Sequence, residues 1–199
     1  VEDHEAVLSF WLGELDADGM ASKETSARWW KKDPAFDQEI RERFMATYDA
    51  IVAGGHRDWL ATPRGRVAYV IVLDQFSRNM FRGTAKMFAA DSLALAAVVE
   101  GLDAGVDAEL APAECTMFYM PLMHSEDLAM QERCIERFGS LRDRNTGIVS
   151  ERAADNLKFA IAHRDIIAKW KRFPHRNETL GRASTPQELE FLKQPGSGF

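Results

Sequence analysis

Cysteine is scarce in this chain. Only two occur among 199 residues, Cys115 and Cys134, and their spacing matches neither a paired-thiol redox motif nor a zinc site. A disulfide framework is excluded on the same ground, and Cys115, inside an apolar run, reads as a buried and inert thiol. Long apolar stretches are missing as well. None approaches the ~20 residues that a membrane-spanning helix needs. No signal-peptide pattern opens the chain, and a first residue of Val1 instead of Met fits a trimmed amino terminus. The expected location is the cytoplasm. Positive charge is in deficit, with 25 Lys and Arg against 31 Asp and Glu and a net charge of −6. Bulk electrostatics therefore oppose nucleic acid and anionic membranes, and neither is expected as a partner. Strand–turn–strand signatures, fixed-period repeats and low-complexity segments are all absent by inspection.

What the chain does have is helix punctuation. "DPAF", "TPRG" and "APAE" put Pro34, Pro63 and Pro112 where a helix begins and an N–H would lack a partner anyway. "TPQE" is a capping box with Thr185 as N-cap and Glu188 reaching back. Ile40, Phe44, Tyr48 and Ile51 mark one apolar face of a helix that Gly54 and Gly55 end. The β-branched run "VAYVIV" continues without a turn signal into polar residues at helical spacing, so it reads as buried helix rather than strand. Further helices are expected over 84–100, 107–123, 126–140 and 150–173. The fold class is all-α, in a single domain spanning 1–199, with five Trp and twelve Phe available for the core.

Three polar clusters interrupt these apolar helices. In "LDQFSRNMFRG", Asp74, Arg78 and Arg82 stack at i,i+4 positions with Gln75 and Asn79 on the adjacent row, and Gly83 is the expected stop. The plain alternative is an exposed Asp74–Arg78 pair of little worth. In "MFYMPLMHSEDL", Pro121 kinks or ends the helix, His124 lies at its end, and Ser125 caps the next one with Glu126 and Asp127 in its first turn. The third cluster leads from His163, on a face with Phe159, Ile166 and Trp170, into "RFPHRN". There Arg172, His175, Arg176 and Asn177 surround a proline. Cations suit a helix C-terminus, but that does not account for the His-Arg-Asn beyond Pro174.

"LDQFSRNMFRGT", "FYMPLMHSEDLAMQE" and "HRDIIAKWKRFPHRNETLGRASTPQE", in this order, resemble the motifs of the bacterial domain-of-unknown-function 924 family across nearly the whole chain. The family form usually has Pro where this chain has Ser77, and often Gly near Lys171. The resemblance implies a tetratricopeptide-like arrangement, antiparallel helix pairs stacked into a right-handed superhelix. It implies no activity.

Two function classes follow. In the first, the clusters converge on a pocket for a small anionic ligand, carboxylate or phosphate. Asp74, Gln75, Arg78, Asn79, Arg82, Glu126, Arg172, Arg176 and Asn177 would hold it, and His124, His163 and His175 would be the proton-exchanging, catalytic candidates. In the second, a protein partner docks in a helical groove, and the same clusters only lock helix pairs together. A metal on His124, Glu126, His163 and Asp165 is set aside because no two histidines stand at i,i+4, and no cofactor is expected. A Ser125-based nucleophile is set aside as well, since that residue is a helix cap first. Oligomeric state is left open. The expected geometry has "RFPHRN" folding over the other two clusters and bringing His175, Arg176 and Asn177 near Arg78, Asn79 and His124.

Overall fold

A computed structural model describes residues 1–198. Ten α-helices follow in order: α1 (His4–Leu12), α2 (Lys23–Trp29), α3 (Pro34–Val52), α4 (Pro63–Val70), α5 (Ser77–Met80), α6 (Asp91–Asp103), α7 (Pro112–His124), α8 (Leu128–Asp143), α9 (Gly147–Trp170) and α10 (Pro186–Phe191). Among the described residues no strand forms, and an isolated Leu15–Ala21 bridge is the sole extended pairing. The protein is all-α, as its helix punctuation predicts. No helix among the described residues is long and apolar enough to cross a membrane.

Local rules account for the starts. Pro34, Pro63, Pro112 and Pro186 each occupy the first helical turn, and Asp33, Thr62 and Thr185 accept backbone N–H bonds as caps. Ile40, Phe44, Tyr48 and Ile51 of α3 are at most 2% exposed. They pack into the main core, where Trp11 stacks on Phe36 and meets Phe76 edge-on. A second, smaller cluster of Ile166, Ile167 and Phe173 packs with Trp170 and Phe191 under the carboxy-terminal segment.

"VAYVIV" is helix. It belongs to α4 and to a π-helical stretch, Ile71–Phe76, that runs directly into α5. Every residue from Val67 to Ser77 is buried, so the segment lacks a polar face and the usual amphipathic signal. Its wider i→i+5 turn is of the kind that often marks functional positions. Where the family form has Pro, the Ser77 hydroxyl donates to the Leu73 carbonyl at 2.6 Å.

Other expectations need correction. Helix α5 stops at Met80, so Arg82 is not stacked above Arg78. It lies in the turn closed by Gly83, whose φ is +79°. Pro121 neither ends α7 nor separates His124 from it, because the helix continues through His124. Ser125 is the C-cap of α7, and Asp127 caps α8 by accepting from the Ala129 N–H at 2.7 Å. The helix expected from 84 begins instead as a short 3-10 turn, Ala85–Phe88, before α6. Phe159, assigned to a buried face, is 56% exposed.

Candidate functional site

The sequence clusters meet around a cavity of about 590 Å³. Gln75 from the π stretch, Arg78 and Asn79 from α5, His124 at the end of α7, His163 from α9, and His175 and Arg176 from the 3-10 turn Pro174–Arg176 all line it. Pro174 fixes the backbone for that turn, and Lys171 reverses the chain after α9 in the left-handed region at φ +61°. Glycine adopts that conformation without cost, which is a physical reason for the family's Gly near this position.

Asp74 lies behind the wall, fully buried, and organises it. One carboxylate oxygen is 2.8 Å from His124 Nδ1 and 3.0 Å from Arg78 Nη1, and the other accepts from Gln75 Nε2 at 2.6 Å. The exposed-pair alternative is thereby removed. Burial alone would raise the Asp74 carboxyl, but Arg78 and His124 outweigh it and hold it down at about 2. An ionised carboxylate only accepts, so His124 carries its proton on Nδ1 and keeps the Nε2 lone pair for exchange. Arg78 also donates both terminal nitrogens to Asp91, each at 3.0 Å. Burial and the Arg78 charge lower His124 below the usual imidazole range. His163, bonded through Nδ1 to the Phe159 carbonyl, is pushed to about 3 by burial. His175 is pushed to about 4 by burial and then by Arg176.

Arg176 differs from the other arginines. Its guanidinium lies between the Phe88 and Phe173 rings, 4.7 and 4.5 Å from their centroids. The side chain is 8% exposed, and its nearest carboxylate oxygen among the described residues, on Asp91, is 3.7 Å away, beyond hydrogen-bond reach. The buried Nε has no hydrogen-bond partner among those residues. Burial, together with Arg78, lowers this guanidinium to about 10.

Some sequence candidates are employed elsewhere. Glu126 accepts from the Phe173 N–H and takes a two-pronged bond from Arg182. Arg172 is forked onto Glu188 at 2.7 Å through both contacts and also reaches the Ala183 carbonyl. Asn177 is fully buried between Arg182 and Ser184. These three form a clasp around "RFPHRN" and do not line the cavity, so the turn carries His175 and Arg176 to the site but not Asn177. Arg82 does line it, but its donors go to Asp37, which Asn79 also contacts.

The cavity also contains residues that the sequence reading passed over. Trp29, Trp30, Lys31 and Lys32 arrive from the end of α2, Asn156 from α9, and Met87 and Phe88 from the turn before α6. "WWKK" is visible as an odd run, yet no local rule places it over α7. Asp91 reads locally as an ordinary first-turn acid. Among the described residues no group of three His, Cys, Asp or Glu is placed to hold a metal ion. Cys115 is fully buried, and burial pushes its thiol up to about 11, outside the reactive range.

Fold and cavity together define an all-helical protein with a histidine- and arginine-lined recess between its helices. The chain belongs to the bacterial protein family of unknown function DUF924, whose model matches residues 7–196. It is similar to the solved structure of the protein of unknown function ATU0120 from Agrobacterium tumefaciens. The two are 33% identical, with 96% of each chain covered and a TM-score of 0.77. No curated protein matches the chain.

Proposed function

We propose that the cavity binds a small organic anion, a carboxylate or phosphate group carried on an apolar body. Arg176 is the observation that carries this reading. A guanidinium offers five donors; among the described residues the buried Nε of Arg176 has no hydrogen-bond partner, and Nη1 comes no nearer than 3.7 Å to the Asp91 carboxylate. Leaving such groups unpaired is costly, and a ligand oxyanion would satisfy them with charge-assisted bonds. The lining supports the sign, because among the described residues it contains Lys31, Lys32, Arg78, Arg82 and Arg176 and no carboxylate. Trp30, Phe88, Met120 and Phe159 supply apolar surface for the rest of the molecule. His124, backed by Asp74, gives the site a group able to exchange protons with what is bound. In this reading the helices form the tetratricopeptide-like superhelix that the family resemblance implies, with the ligand between stacked pairs in a cytoplasmic protein.

Thermal melting tests the proposal. Phenyl phosphate and benzoate at millimolar concentration should raise the melting temperature above that of a potassium chloride control of equal ionic strength. A ligand at 100 times its Kd stabilises by about 2.7 kcal/mol. The gain should be lost in Arg176→Gln. Unchanged melting with both anions would leave the polar residues as helix-locking bonds and transfer the function to a protein partner in a helical groove.

A further inference from the structure

We infer that the cavity takes up one proton together with its anion, His124 changing from a neutral imidazole held by Asp74 into an imidazolium that contacts the bound oxyanion. This rests on the anion-binding reading above and makes it more specific.

Several elements bring charged groups to face His124. The π stretch contributes Asp74, 2.8 Å from Nδ1. Helix α5 contributes Arg78, with Asp91 of α6 behind it. Helix α9 contributes His163, whose ring centroid is 6.5 Å away. The turn after α9 contributes His175 and Arg176, which share the cavity wall. Glu126, two residues along the chain, is engaged by Arg182. Without a ligand, burial and then the Arg78 and Arg176 charges outweigh Asp74 and lower the imidazole below its usual range, which favours its neutral form. An anion contacting Arg176 adds negative charge to the same small space. Opposite charge within ~4–6 Å raises a cationic group by roughly 1–3 pKa units.

Of the three histidines, His124 is placed to respond. It already has an ionised carboxylate on Nδ1, which stabilises the imidazolium as the buried aspartate does in hydrolase triads. His163 gives its Nδ1 to a backbone carbonyl rather than to a carboxylate, and burial disfavours the charged form of both His163 and His175. Histidine thus supplies a positive charge that exists only when an anion is present to use it. A further permanent cation would instead add to the repulsion already present among the lysines and arginines of the empty site.

The sign of the pH dependence follows. Binding that raises the His124 pKa strengthens as pH falls through the value in the complex and levels off below the value in the free protein. Benzoate is a suitable probe because a carboxylic acid with a pKa near ~4.3 stays ionised from pH 6 to 8. All pH dependence then belongs to the protein. Calorimetric titration of the full chain with benzoate should show affinity at least about tenfold tighter at pH 6.0 than at pH 8.0, within the limit of one decade per pH unit for one linked proton. A pH-stat reading in unbuffered potassium chloride at pH 7.0 should show proton uptake on adding benzoate. Nitrogen NMR of labelled histidine in the wild type should show the His124 ring passing from neutral to charged at saturation, which does not depend on any variant folding. His163→Gln should retain the linkage, and His124→Gln should bind with a flat pH profile. Benzoate that binds equally at pH 6.0 and pH 8.0, or a linkage that survives His124→Gln, overturns the inference while leaving the anion site in place. Benzoate that binds at no pH takes down the pocket reading itself, and this inference with it.

Discussion

Two neighbouring parts of one hexapeptide use the same residue types in opposite ways. In the clasp, Arg172 is forked onto Glu188, and nearby Arg182 is bonded to Glu126, to Asn177 and to the Phe173 carbonyl. On the cavity wall, Arg176 stands four residues from Arg172, its buried Nε without a partner among the described residues and its Nη1 3.7 Å from Asp91. Both kinds of arginine are near rings or carboxylates, and both follow the same helix. Saturation of donors separates them. A guanidinium bonded to carboxylates and carbonyls holds the fold together, whereas one whose buried Nε lacks a partner among the described residues is available for a ligand.

Breaking the clasp should have the largest effect on folding. Arg182→Ala leaves Glu126 without its charge partner and Asn177 without a donor. Breaking a buried ion pair costs roughly 3–5 kcal/mol. Both side chains are about a quarter exposed, so solvent screening brings the expected loss to about 2 kcal/mol. Urea denaturation measures it, and the m value should be unchanged.

The wall should behave the other way. Arg176→Met replaces a buried cation, held only by a long 3.7 Å contact to Asp91, by an apolar side chain of similar length, a change that is often neutral or stabilising. Stability in chloride alone should hold or rise by about 1 kcal/mol, while benzoate and phenyl phosphate lose their effect on melting. If this variant unfolded as readily as Arg182→Ala, the contrast between the two regions would collapse, and Arg176 would be one more structural arginine.

The smallest expected change lies between the two regions. Lys171→Gly removes a side chain from a left-handed position, with φ at +61°, and should stabilise by about 0.5–1 kcal/mol. The one bond given up, from Lys171 Nζ to the Ala168 carbonyl, is exposed. Denaturant midpoints of the two proteins, with anion affinity measured alongside, show whether the turn can be relieved of strain without moving His175 and Arg176.

The residues of this chain determine its helices by themselves. Proline at first turns, Thr185 with Glu188, and the Ile40–Phe44–Tyr48–Ile51 stripe are local signals, and each gave the element observed. The polar clusters were legible too, since Asp74, Arg78, His124, His163 and Arg176 stand out against apolar neighbours. Their division into cavity wall and clasp was not legible. Arg172, Asn177 and Glu126 read like Arg176 along the chain, and only their partners Glu188, Ser184 and Arg182 tell them apart. Trp29 to Lys32 joined the cavity for the same kind of reason, from a helix more than forty residues before the π stretch. Helix starts depend on side chains within one turn, which sequence lists in order. Whether a buried donor finds an acceptor depends on residues brought across the fold, and that was decided only when the helices packed.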